Sequence, residues 1–249
     1  YKSESFVYVQ DKMSCELMSL HGDRSQWRSC LDRSGRGPHL FVLGDSHASN
    51  LVPSLQSVAA QLGFSDLRYL TNAIPHPFHT KETIAAAGFW NQSKEYRQLI
   101  DGLTSKDVVV FSRAVSSESG AGQSLQQQLA HLAADVPARG ATLVLVDDIP
   151  HTCGDEDFRR SFLLTGGRGC RIPKQEAVAH RAPHTQVLKE FSQKRAGIVY
   201  LDPLSELCEG DSCYPTLDGK ILYVEDRKEH TSELQSPCNL VCRLLLEKK

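Results

Sequence analysis

The chain has 249 residues and a mass of 27.6 kDa, room for one α/β domain or two small ones, with a proper core in either case. Apolar residues at 40% and charged residues at 23% exclude wholesale disorder, and a net charge of −2 leaves no basic excess to hold nucleic acid. The longest apolar runs, such as 108–111 and 143–146, fall far short of the ~20 residues of a membrane helix.

Residue 1 is Tyr, and neither a charged n-region nor an apolar h-region follows, so no signal peptide is read and the chain is expected to be cut from a longer one. Residues 1–36, with Cys15 and Cys30, read as a lead-in or linker. From there strand-like and helix-like periods alternate. Residues 39–46 (HLFVLGDS) predict a buried strand, 48–62 a helix ending at Gly63, and 66–72 a second strand. Residues 75–79 (PHPFH) predict a loop, 92–103 a helix, 107–113 (DVVVFSR) a third strand and 123–136 a helix. A fourth strand is expected over 142–148 (TLVLVDD), then a Gly-rich irregular excursion over 153–172. A helix over 184–195 and a fifth strand over 197–202 complete the series. This alternation predicts a five-stranded parallel sheet covered by helices on both faces, a three-layer α/β/α fold.

The final segment, 227–249 (RKEHTSELQSPCNLVCRLLLEKK), resembles the conceptual translation of a short-read sequencing adapter, carried by EHTSELQS and LVCRLLLEKK. Pro237 and Asn239 interrupt any helical period that a genuine amphipathic tail would need. Residues 226–249 are therefore expected to be a non-native tail, with natural sequence ending near Glu225.

With the cysteines of that tail set aside, six remain: Cys15, Cys30, Cys153, Cys170, Cys208 and Cys213. Their spacing in local couples suggests 15–30, 153–170 and 208–213 disulfides, on proximity alone, since six cysteines allow 15 connectivities. Disulfides would place the domain in an oxidising compartment. None of the spacings is Cys-x2-Cys, and His76-x-x-His79 has no clear further ligand, so no metal and no cofactor is expected.

The informative stretch is Val42-Leu-Gly-Asp-Ser-His-Ala48. A buried strand ends, Gly44 permits a tight turn, and Ser46 stands immediately before a helix, where ligands of an open α/β sheet bind. The helix N–H groups lie near enough to serve a developing oxyanion. Taken alone, strand–GDS–helix fits a helix cap by Ser46 or Asp45 as well as it fits a nucleophile.

The order of motifs adds more. The serine follows the first predicted strand, and Ala48 stands where a G-x-S-x-G elbow would have Gly. GDSHA at 44–48 resembles the nucleophile block of the SGNH (GDSL-like) hydrolase superfamily. The chain is closer still to the C-terminal SGNH domain of bacterial membrane acyltransferases of the acyltransferase-3 type. That likeness is carried by Cys30, GDSHA, IPHTC at 149–153, Cys170, and Asp202-Pro203…Cys208…Cys213…Gly219…Tyr223, and it covers about residues 15–223.

The resemblance implies an SGNH domain over 37–225 with a flavodoxin-like fold and Ser46 as nucleophile. It further implies a periplasmic or otherwise extracytoplasmic location in a bacterial inner-membrane protein. An absent upstream membrane domain would deliver the acyl donor and make the only membrane association. The acyl group, usually acetyl, would pass to a cell-surface glycan such as a polysaccharide or lipopolysaccharide. The family also has an Asp-x-x-His near here, whereas this chain has Asp226-x-x-x-His230, one residue too long and inside the suspected tail. That departure implies a severely impaired catalyst. A free-standing secreted esterase and an inert glycan-binding domain are the alternatives.

Supporting roles are less defined. Gly44, Asp45 and Asn72 are candidates to shape the turn or the oxyanion site, and Asn72 also reads as an ordinary turn residue. Arg113 fits contact with an acyl acceptor, or an ion pair with a carboxylate. His47 is expected to help shape the turn, and Asp147-Asp148 reads as a polar pair ending a strand.

Overall fold

A strand buried on both faces must be apolar at consecutive positions, and the runs LFVL, VVVF and LVLV meet that need. The computed structural model describes residues 28–29, 37–44, 46–70, 94–115, 121–149, 161, 164–165, 168–214, 216–217 and 220–221. In chain order they form β1 (Arg28–Ser29), β2 (His39–Gly44), α1 (Ser46–Ala59), β3 (Asp66–Leu70), α2 (Lys94–Gly102), β4 (Val108–Ser112), α3 (Ala121–Ala138) and β5 (Thr142–Val146). There follow β6 (Ile172–Pro173), α4 (Lys174–Lys194), β7 (Ile198–Leu201), α5 (Leu204–Leu207), β8 (Cys208–Glu209), β9 (Ser212–Cys213), β10 (Thr216–Leu217) and β11 (Lys220–Ile221).

The main sheet has the order β1-β3-β2-β4-β5-β7. Its five strands β3, β2, β4, β5 and β7 are all parallel, as expected. The lead-in adds a sixth, because β1 pairs antiparallel with β3, setting Arg28 opposite Tyr69 and Ser29 opposite Arg68. A two-residue strand leaves no periodic signal in a sequence. The chain starts the parallel set at β2, steps outward to β3, and then returns past β2 to β4. This reversal opens a crevice outside the carboxyl ends of β2 and β4, where doubly wound sheets bind their ligands.

Alternate side chains divide the core into two layers. Phe41, Leu43, Val109, Phe111, Leu143 and Leu145 pack with Leu99 of α2, Leu129 and Leu132 of α3, and Leu188 of α4. Leu40, Val42, Val110, Val144 and Val146 join Ala48, Leu51, Val52 and Leu55 of α1 on the opposite face. Each such Leu or Val contributes about 1.5–3 kcal/mol relative to exposure. The amino-terminal edge is fastened by the buried carboxylate of Asp107. It accepts from the backbone N–H groups of His39 and Thr104, both at 2.7 Å, and from the Thr104 hydroxyl at 2.9 Å.

Helix α4 begins ten residues before the expected 184 and runs through Pro183. Its buried residues are Ala177, Arg181, His184 and Leu188, one face at helical spacing. Two of those four are polar, so the apolar period that marks an amphipathic helix is absent from its first half. Beyond β7, β8 and β9 form a tight hairpin closed by the Cys208–Cys213 disulfide, with β6 beside β9. Cys213 is packed there against Ala177 and Leu204.

Candidate active site

The carboxyl ends of β2, β4, β5 and β7 bring Gly44, Ser112-Arg113, Asp147-Asp148 and Asp202 to one edge of the sheet. Gly44 is paired in register with Ser112. Its φ is +145°, and a β-carbon there would stand 1.8 Å from the Ser112 carbonyl oxygen and 2.6 Å from the Ala48 β-carbon. Only glycine fits, and that close approach allows the chain to leave β2 and enter α1 without delay. Ser46 is the first residue of α1, so its backbone stands where the helix dipole and unpaired N–H groups favour developing negative charge.

The Ser46 side chain lies outside the described residues, as do Asp45, Asn72, Cys15, Cys30, Cys153 and the segment holding Asp226 and His230. Arg113 is half-buried at the exit of β4 and donates to Gln128 Oε1 at 3.3 Å. Cys170 is buried and disulfide-bonded.

The residue after the serine has a defined partner. His47 Nδ1 lies 2.6 Å from Asp148 Oδ1. Asp148 is buried and also accepts from the backbone N–H groups of Val115 at 2.6 Å and Ile149 at 2.9 Å. Burial alone would raise its pKa. The charge and hydrogen bond of His47, the Val115 bond and the charge of His184 outweigh burial and hold the carboxyl below its ordinary range. An ionised carboxylate only accepts, so the proton of this bond resides on His47 Nδ1.

Asp147, immediately before it, is buried as well and is still more heavily bonded. Its Oδ1 receives the Asp148 N–H at 2.9 Å and faces His184 Nδ1 at 3.0 Å. Its Oδ2 receives the Thr185 and Tyr200 hydroxyls, both at 2.6 Å, and lies 3.1 Å from Arg181 Nη1. Burial pushes this carboxyl up too, but the His184 bond, the Arg181 charge and the two hydroxyl bonds carry it below the usual range. Tyr200 is pushed well above its ordinary value, first by burial and then by donating to Asp147. Arg181 also donates to the Asp148 carbonyl at 3.0 Å and to Asp202 at 2.5 Å. Among the described residues, the buried Nε of Arg181 and Nε2 of His184 make no hydrogen bond.

Asp147-Asp148 is therefore far more than a polar strand ending: it fastens the β2–α1 turn, the β4 exit, α4 and β7 to one another. A pair of acids after a fully apolar strand was the available signal, but nothing local indicates partners 33 to 101 residues away. Among the described residues, no group of three or more His, Cys, Asp or Glu side chains is arranged to hold a metal.

A family model described as SGNH domain (fused to AT3 domains) matches residues 14–234. The chain belongs to this SGNH domain family. The match supports esterase or acyltransferase chemistry in general, and it makes the domain one associated with acyltransferases. It covers GDSHA and all six paired-cysteine candidates, and it runs past Glu225 to take in His230. No curated protein matches this SGNH domain. Among the described residues, no helix of the domain is long and apolar enough to cross a membrane.

Proposed function

We propose that this SGNH domain is the extracytoplasmic part of a membrane O-acyltransferase, and that Ser46 carries the acyl group between donor and acceptor. The observation that carries the reading is the placement of Ser46 at the first turn of α1, beside the β2/β4 crevice, in a chain whose family is fused to AT3 domains. Ser46 Oγ would attack the acyl carbonyl and expel the donor's leaving group, forming a serine ester. A sugar hydroxyl would then attack that ester and restore Ser46, so one difficult transfer becomes two easier ones. The acyl group is acetyl in this reading, and the acceptor is a cell-surface glycan. The Cys208–Cys213 disulfide supports an oxidising, extracytoplasmic setting.

The serine proton needs an acceptor. The family resemblance assigns that role to the His of an Asp-x-x-His, which this chain replaces by Asp226-x-x-x-His230. We infer slow acylation of Ser46 in this chain and no dependence on His230.

The test is to treat the 249-residue chain with an activated acetyl ester and locate the adduct by mass spectrometry. An ester on Ser46, absent in Ser46→Ala and retained in His230→Ala, is expected. Loss of the adduct in His230→Ala would overturn the account of the base. Transfer to an added oligosaccharide supports the acyltransferase, whereas release to water alone favours the esterase. A chain that never acylates at Ser46 removes both readings.

A further inference from the structure

We propose that Asp148 is a positioning residue that holds the Ser46 turn in its working geometry through His47 on one side and Val115 on the other. The inference rests on the reading of Ser46 as the acyl carrier. Asp148 follows β5, yet its Oδ1 meets the residue after Ser46 at 2.6 Å and its Oδ2 meets the backbone N–H of the β4 exit at 2.6 Å. One buried carboxylate thus joins the two loops that flank the crevice, and the Ile149 N–H at 2.9 Å fixes the carboxylate itself.

The turn is constrained from both ends. Gly44, two residues before Ser46, is pressed against the Ser112 carbonyl of β4. His47, one residue after it, is tied to β5. Ser46 lies between these two anchors in the chain.

A His–carboxylate pair beside a nucleophile also suggests a base, but the spacing argues against that use. Adjacent helical residues project about 100° apart and do not face each other. His47 Nδ1 is moreover committed to Asp148, and its bond pulls the ring toward β5. Orientation of the turn is what the pair supplies, and a misplacement of about 1 Å can cost on the order of a hundredfold in rate.

The experiment uses the full chain with Asp148→Asn, His47→Gln and, as a control, Tyr96→Phe. Tyr96 donates to Asp135 at 2.7 Å between α2 and α3, and its loss perturbs packing without touching the turn. Three readouts are taken: the imidazole N–H signal of His47 by NMR, amide exchange at Val115, and Ser46 acylation as separate kcat and KM. In Asp148→Asn the bonded Nδ1–H signal should disappear or shift strongly. Val115 exchange should rise by about tenfold or more, as expected for losing a charge-assisted bond. Acylation should slow by roughly ten- to a hundredfold in kcat at little-changed KM in both Asp148→Asn and His47→Gln. Tyr96→Phe should leave all three unchanged.

Equal acylation in the parent chain, Asp148→Asn and His47→Gln overturns the positioning role and leaves the acyl-carrier reading standing. Absence of acylation in every chain, with the NMR and exchange changes as expected, removes the acyl-carrier reading while the turn's dependence on Asp148 stands. If Asp148→Asn does not fold, His47→Gln decides on the other two readouts, amide exchange at Val115 and acylation, its side chain being 25% exposed. Acylation lost outright in His47→Gln but only slowed in Asp148→Asn would make His47 the base and overturn the proposal.

Discussion

Arg181 Nη1 and Asp147 Oδ2 lie 3.1 Å apart, with the arginine side chain 4% exposed and the carboxylate fully buried. The same guanidinium reaches Asp202 beyond β7, so one α4 side chain links the carboxyl ends of two neighbouring strands. Burying such charges is costly, and the cost is offset only while every partner is present.

Arg181→Met should therefore destabilise the domain by about 3–5 kcal/mol, because it strands Asp147 without its cation. Arg181→Lys should fall between, since an ammonium cannot fork to both carboxylates and the Asp148 carbonyl. Urea unfolding of the two variants checks the order. A loss under about 0.5 kcal/mol for Arg181→Met would mean that the cluster carries little of the fold's stability.

Acid should act through the paired carboxylates. Asp147 and Asp148 are both lowered from an ordinary value of 3.8, so the folded state holds fewer protons there than the unfolded chain. Their stabilising contribution is complete above that value and is lost as pH falls through the depressed folded values. The contribution of these two carboxylates to the unfolding free energy should stay level down to about pH 5 and decline below it, with a shallower decline in Asp148→Asn. A pH-independent curve through that window would contradict the assignment.

Gly44→Ala tests the packed turn. The new methyl would stand 1.8 Å from a backbone oxygen that belongs to the sheet, at a φ that L residues rarely adopt. A cost of more than about 4 kcal/mol, or failure to fold, is expected. Gly63→Ala is the comparison, since its φ is +85° but nothing lies within 4 Å of a β-carbon there. It should cost only about 1–2 kcal/mol for the backbone conformation.

The Cys208–Cys213 pair closes a sequence separation of five. A loop that short restricts the unfolded chain modestly, so Cys208→Ser with Cys213→Ser should lower stability by about 2 kcal/mol. Circular dichroism and hydrogen exchange should show the parallel sheet intact in the double variant. Collapse of the whole sheet would show that the hairpin carries more of the fold than its loop length implies.

The five parallel strands are legible because a doubly covered strand must be apolar at successive positions, as in residues 40–43 and 143–146. The GDSHA turn and the Cys208–Cys213 couple are legible because a turn and a short loop are local features. The first half of α4 is hidden because Arg181 and His184 occupy its core-facing positions, and Pro183 reads as a boundary. The role of Asp147-Asp148 is hidden for a related reason: its donors come from α1, the β4 exit, α4 and β7, which only the folded sheet brings together. Residues 28–29 are too few to carry any period.

The bond between His47 and Asp148 also has a temporal meaning. Its two ends are separated by 101 positions, so at ~5–20 residues per second the chain makes the GDSHA turn roughly 5–20 seconds before its anchor exists. For roughly the first two-thirds of that interval the turn has neither the Ser112 carbonyl nor the Asp148 carboxylate to rest against, and for the remainder it lacks Asp148. The GDSHA segment is thus made well before the carboxylate that holds it, so a nascent chain stalled before residue 148 should display Ser46 on a turn that lacks its Asp148 anchor.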